Sequence, residues 1–213
     1  MQSKNWNSLL FVIHKKQKES FMSHTIHYYL SPISPFTCLA GDLLDKQAPA
    51  EVVYHPFDIG RLFAATGGVP VPQRSPQRQA YRLAELSRIQ KQRGISINLK
   101  PQFFPVDGRP ASKLMLAVRD SGEDIASLAR ALLCAVWQRD LNIADESVLA
   151  QILDELNIDS VLLEQSKALD EQLDKETDEA VEAGVFGSPF YLVDGEPFWG
   201  QDRLEQAIER AKG

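Results

Sequence analysis

Ser34-Pro35-Phe36-Thr37 and Gly187-Ser188-Pro189-Phe190 are the segments of this 213-residue chain whose residue types could do chemistry. Ser34 follows a β-prone run, Thr25 to Leu30, and precedes a helix-like stretch through Leu39, Leu43 and Leu44. It therefore falls at a strand-to-helix turn, where unpaired N–H groups and the positive end of the helix dipole face whatever anion sits there. Such a turn suits the holding of a negatively charged nucleophile. The same residues admit plainer readings. A serine before an apolar helical run is most often an N-cap, and Pro35 is expected at a first helical position. Pro189 could be an ordinary trans proline opening a strand, and Asp202 and Arg203 could cap and pair at the start of the last helix. A serine hydrolase is a poor fit, because the chain has no G-x-S-x-G elbow around Ser34 and no evident base.

The elements that must position these residues follow from periodicity. Thr25 to Leu30 and Glu51 to Phe57 read as strands, with Phe36 to Lys46 as the helix between them. Gly67-Gly68-Val69-Pro70-Val71-Pro72 is loop chemistry, and from Ser75 to about Ala183 the period is helical. A helix beginning near Glu123 carries Ile125, Leu128, Ala129, Leu132 and Val136 on one face, and another starts with Asp145 as its N-cap. Gln165 to Gly184 reads as one charged helix with a solvated acidic face and Gly184 at its C-terminus. The β pattern then returns as a hairpin, Phe190 to Val193 and Pro197 to Trp199 around Asp194-Gly195, before a closing helix from Asp202 to Lys212. The expected fold is α/β, a mixed four-stranded sheet with helices on both faces. Residues 23–72 and 184–213 would form the sheet domain and residues 73–183 an all-helical insertion.

Composition narrows the function. A hydrophobic content of 44%, a charged content of 24% and a net charge of −6 suit a soluble globular chain with no membrane span and no basic face for nucleic acid. Cys38 and Cys134 lack C-x-x-C or metal-ligand spacing, so no metal is expected and a cytoplasmic location fits. His14, His24, His27 and His55 show no triad or metal spacing and read as structural residues. The run Leu9 to Ile13 is too short for a signal-peptide core, so residues 1–22 read as a disordered extension with Met22 as the expected natural start.

The order of elements, with Ser34-Pro35-Phe36-Thr37-Cys38-Leu39-Ala40, Pro56-Phe57-Asp58-Ile59-Gly60, Gly184 to Pro189 and Phe198 to Leu204, resembles a known family. This is the group of thioredoxin-like proteins with a helical insertion that includes 2-hydroxychromene-2-carboxylate isomerase and the kappa-class glutathione transferases. Its layout is similar to that of the DsbA-type oxidoreductases. The resemblance covers Thr25 to about Ala211. It implies that Ser34 and Thr37 stand where redox relatives carry cysteines, so the turn cannot cycle between dithiol and disulfide.

It further implies glutathione as cofactor, with Ser34 as the catalytic residue holding its thiol and Pro189 as a cis proline beside it. The Ser188 backbone would pair with the cysteinyl part, and the γ-glutamyl end would lie near Gln201 and Asp202. The chain departs from many relatives at Gln201, often Ser or Asn, and at Gly68, where an asparagine is common. Thr37 reads as a helix residue beside the site, and Arg61 as a candidate for the carboxylate of a small aromatic electrophilic substrate. A homodimer is a further implication. A glutathione transferase, a peroxidase and a non-catalytic binding module are alternatives on the same scaffold.

The thiol energetics are workable. A free thiol near pKa ~8.5 is only about 3% ionised at neutral pH, whereas one shifted to ~6.5 is about three-quarters ionised, a difference of ~2.7 kcal/mol. A hydroxyl donor to a charged sulfur supplies ~1.5–3 kcal/mol and a helix N-terminus ~0.3–1 kcal/mol.

Overall fold

A computed structural model describes residues 24–213, so the expected N-terminal extension and the start at Met22 lie outside the described residues. The sheet contains β1 (Thr25–Leu30), β2 (Glu51–Pro56), β3 (Phe190–Val193) and β4 (Glu196–Trp199) in the order β2-β1-β3-β4. β1 runs parallel to β2 and antiparallel to β3, and β3 pairs antiparallel with β4. The β3–β4 turn puts Asp194 at φ 51° and Gly195 at φ 80°. Those positive values are what a two-residue hairpin needs to match the twist of its strands.

Alternation along β1 divides the core. Ile26, Tyr28 and Leu30 join the larger cluster with Leu39, Leu114 and Trp137, while Tyr29 turns to the other face with Phe57, Leu62, Ala180 and Phe190. Helices cover both faces, as the strand pattern requires.

The expected helix from Phe36 to Lys46 is two helices, α1 (Pro35–Ala40) and α2 (Leu43–Gln47). Gly41 breaks it at φ 68°, and a Cβ there would stand 2.9 Å from Ile95 Cδ1. Then follow α3 (Ile59–Thr66), a short 3-10 turn (Val71–Gln73), α4 (Pro76–Arg93), α5 (Arg109–Ser121), α6 (Ile125–Trp137) and α7 (Glu146–Leu156). Asp124 caps α6 by accepting from Ser127 N, one residue later than the expected start, and Asp145 caps α7. The charged stretch from Gln165 to Gly184 begins in the last two residues of α8 (Val161–Ser166) and is otherwise α9 (Asp170–Glu182), before the closing α10 (Leu204–Arg210).

The acidic side of α9 is not simply solvated. Asp170 accepts from Arg109 and Lys113, Asp174 from Arg109, Glu176 from Arg119 and Asp178 from Arg61. These pairs tie α9 to α3 and α5, across the second face of the sheet.

Candidate active site

Ser34 is the N-cap of α1, with extended backbone (φ −82°, ψ 120°), and its Oγ accepts from Thr37 N at 3.2 Å. The plain capping role is therefore real. The same hydroxyl also donates to the Ser188 carbonyl at 3.0 Å, across 154 residues of sequence. Ser188 is anchored in turn. Its Oγ accepts from Ser31 N at 2.9 Å and lies 2.7 Å from Thr37 Oγ1. The Ser188–Pro189 peptide is cis, and the Pro189 carbonyl accepts from Gly200 N at 3.0 Å.

The two tetrapeptides thus meet through three hydroxyls. Thr37, 1% exposed, is part of this network, not a bystander beside it. The Ser188 N–H takes no partner among the described residues. A strand-end N–H without a partner, next to a carbonyl held only by a hydroxyl, is an edge onto which extended backbone can add.

Ser34, Ser188, Gln201 and Asp202 all line one cleft of about 1270 Å³, at the junction of the sheet's edge with α3 and α4. Its apolar wall includes Phe36, Phe63, Phe104, Phe186 and Trp199. Sites for drug-sized molecules run to about 300–1,000 Å³, so this cleft can hold a tripeptide and a small aromatic molecule together. Gln201 is buried at the rim, its carbonyl accepting from Arg93 Nη2 at 2.6 Å, whereas Asp202 is exposed and pairs with Arg203 at 3.1 Å.

Two glycines are close-packing positions. A Cβ on Gly187 would stand 2.6 Å from Trp199 Nε1, and one on Gly68 would stand 2.1 Å from Phe63 Cδ1. Gly68 lines the cleft, and the ring of Phe63 fills the space in which any side chain at that position would start.

Other candidates fall away from the cleft. Arg61 donates to both carboxylate oxygens of Asp178, at 2.8 and 2.7 Å, and lies 3.5 Å from Asp174; it does not line the cleft and is no substrate cation. His27 Nδ1 meets His55 Nε2 at 3.0 Å, and His55 Nδ1 lies 3.4 Å from Glu176. Burial, then the neighbouring His55, lowers the His27 pKa. This cluster lies away from the cleft and serves the packing of β1 and β2 against α9.

Cys38 is buried, and burial, followed by the nearby Cys134, pushes its thiol up to about 12. It offers no nucleophile. Sequence reasoning missed Arg82, which lines the cleft while only 8% exposed. Its spacing from Arg74 and Arg78, four residues apart each, was the available signal.

The parallel pair, the antiparallel hairpin, the cis proline opposite a helix-capping turn and the helices inserted between them define a thioredoxin-like α/β fold. The chain belongs to the DSBA-like thioredoxin domain family, whose sequence model matches residues 25–211. A 2-hydroxychromene-2-carboxylate isomerase from Pseudomonas putida is 28% identical over 197 residues, covering 88% of this chain and 94% of that protein. The enzyme of the same name from Sphingobium xenophagum is 27% identical over 192 residues, covering 86% of this chain and 96% of that protein.

Among solved structures, a 2-hydroxychromene-2-carboxylate isomerase superposes with a TM-score of 0.71 at 24% identity, covering 87% of this chain and 95% of that one. The cytosolic disulfide reductase DsbM from Pseudomonas aeruginosa, solved with GSH, superposes with a TM-score of 0.63 at 18% identity, covering 88% of this chain and 96% of that one.

Proposed function

We propose that the chain is a glutathione-dependent isomerase of the 2-hydroxychromene-2-carboxylate isomerase type, acting on a conjugated aromatic keto acid. The observation that carries this reading is the contact of the Ser34 hydroxyl with the Ser188 carbonyl at the wall of a cleft large enough for two ligands. The residues fit glutathione. The unpartnered Ser188 N–H and the adjacent carbonyl offer the donor and acceptor that a cysteinyl residue needs when it adds as a strand. Gln201 and Asp202, farther along the same rim, would take the γ-glutamyl end.

Bound glutathione would supply a thiolate whose reversible addition to the enone lets the carbon–carbon bond rotate. The protein's own part is electrostatic and positional. When a peptide N–H takes over the Ser188 carbonyl, the Ser34 hydroxyl is released to donate to the sulfur, while its oxygen keeps capping Thr37 N. A hydroxyl donor of this kind favours the ionised thiol by ~1.5–3 kcal/mol. Thr37 and the Ser31 N–H hold the Ser188 side chain, and so keep its backbone facing the cleft. The free, buried Cys38 thiol leaves the chemistry to the cofactor, and free cysteines fit a reducing compartment such as the cytoplasm.

Incubating the protein with 2-hydroxychromene-2-carboxylate should give trans-o-hydroxybenzylidenepyruvate only when glutathione is added. Product formed at the same rate without glutathione would refute the cofactor. Conjugation of 1-chloro-2,4-dinitrobenzene without isomerisation would favour a transferase on the same scaffold, and calorimetry showing no glutathione binding would leave a non-catalytic module.

A further inference from the structure

Arg82 sits in the middle of α4, 8% exposed, yet its guanidinium makes no hydrogen bond or ion pair with any described residue. It lies instead over two rings that pack on each other with centroids 4.8 Å apart, its Cζ 5.1 Å from the Phe104 centroid and 5.7 Å from that of Trp137. Glu85, the carboxylate nearest in sequence, is committed to Arg88. Arg74 donates its Nε to the Val69 carbonyl at 2.7 Å and adds like charge nearby.

The Arg82 nitrogens are not sealed off and still meet the open cleft, but a guanidinium this far withdrawn from water without a partner is costly, and ring faces offset only part of that cost. A ligand that brings an anion into the cleft would complete the pair. Burial, and then the Arg74 charge, pull its pKa down to about 10, which leaves it cationic at neutral pH. The cleft that Arg82 lines is the one that contains Ser34.

We propose that Arg82 is the carboxylate-binding residue for the organic substrate, an aromatic acid whose ring packs against Phe104 while its carboxylate takes the unpaired guanidinium. An aromatic acid suits this end of the cleft better than the tripeptide does. The Phe104 ring lines the cleft beside the guanidinium, and Arg74 and Arg78 add positive charge to the same wall, whereas the backbone partners a peptide needs are at Ser188. The site itself stands on the geometry of Arg82; only the identity of the natural acid rests on the isomerase reading.

The test begins with the protein alone, without glutathione. Calorimetry should show trans-cinnamate binding about 10- to 150-fold tighter than the isosteric cinnamamide, the range expected for a charge-assisted hydrogen-bonded pair. Arg82→Met should abolish the preference and Arg82→Lys should keep part of it. Because the methionine removes a buried unpaired charge, Arg82→Met should melt no lower than the parent. In the isomerase assay Arg82→Met should raise KM for 2-hydroxychromene-2-carboxylate by a similar factor while KM for glutathione stays unchanged.

Equal affinity of the unmodified protein for the acid and the amide would overturn the proposal without any variant. So would loss of glutathione affinity in Arg82→Met with cinnamate binding intact, which would assign the guanidinium to a glutathione carboxylate. Cinnamate selectivity that depends on Arg82 in a protein that never isomerises would refute the isomerase reading and leave this site standing.

Discussion

Ser34→Ala separates a cap from a catalyst, because the two roles fail by different amounts in different measurements. The hydroxyl makes two bonds in the structure, accepting from Thr37 N at 3.2 Å and donating to the Ser188 carbonyl at 3.0 Å. Losing the cap costs ~0.5–2 kcal/mol of stability, typically ~1, which in a chain of this size lowers Tm by about 2–4 °C per kcal/mol. The variant stays folded. Losing the donor removes ~1.5–3 kcal/mol of preference for the thiolate, or about 1.1–2.2 pKa units.

A bound thiol near ~6.5 would then titrate at about 7.6–8.7, and its ionised fraction at neutral pH would fall from about three-quarters to between a fifth and a fiftieth. Turnover should drop about 4- to 40-fold, and the deficit should shrink as pH rises through the shifted pKa. Ultraviolet difference titration of the bound thiolate and the pH–rate profile measure the same quantity independently. Ser34→Thr, which keeps a hydroxyl, should recover most of the loss. If Ser34→Ala lowers Tm as expected while the bound thiol titrates where it did before, Ser34 is only a cap and the reasoning fails.

Thr37→Val should raise KM for glutathione about 3- to 10-fold with kcat nearly unchanged, because it removes one hydrogen bond of ~1 kcal/mol from Ser188 Oγ without touching the Ser34 hydroxyl. Thr37→Ser should restore binding, and an unaltered KM in the valine variant would place Thr37 outside the site. Glu176 makes a separate prediction about stability. Burial pushes its carboxyl up, but hydrogen bonds from His55 and Arg119 outweigh that and hold it down, at about 2 against an ordinary 4.5. A depressed carboxyl stabilises the fold fully above about pH 4.5 and loses that contribution as pH falls toward about 2. Glu176→Gln should therefore cost about 1–3 kcal/mol near neutrality and flatten the acid limb of the stability profile in that window. An acid limb unchanged by the substitution would count against the network as its cause.

The parts of this fold legible in the sequence are those whose cause is local. Thr25 to Leu30 reads as a strand because it is a short run of β-prone residues, Ile26, Tyr28, Tyr29 and Leu30 among them, suited to burial on both sheet faces, and Asp194-Gly195 announces a hairpin because the turn needs two positive φ values. The breaks in the helices are not local. A lone glycine inside an apolar helical pattern is tolerated, so nothing near Gly41 reveals that Ile95, far along the chain, closes off the space beside it. The stretch between α8 and α9 contains neither glycine nor proline, so its turn is set by packing alone. Arg61 misled for the same reason: its partners Asp174 and Asp178 lie more than a hundred residues away, on a helix whose acidic side looked merely solvated.

The site repeats this division. Ser34 could be placed at a turn from its neighbours, but whether its hydroxyl also reached Ser188 depended on a 154-residue excursion through the helices. That excursion gives the cleft its chemistry. Among the described residues, the sheet brings two hydroxyl-bearing turns together and leaves the Ser188 N–H without a partner, while the inserted α4 carries a guanidinium without a paired carboxylate to the wall of the same cavity. Under the proposed function each unmet group would be met by a different ligand, a peptide at one end and an acid at the other. A cleft with two such complementary deficits would select for both ligands at once, which is what the proposed reaction between a borrowed thiolate and an aromatic keto acid requires.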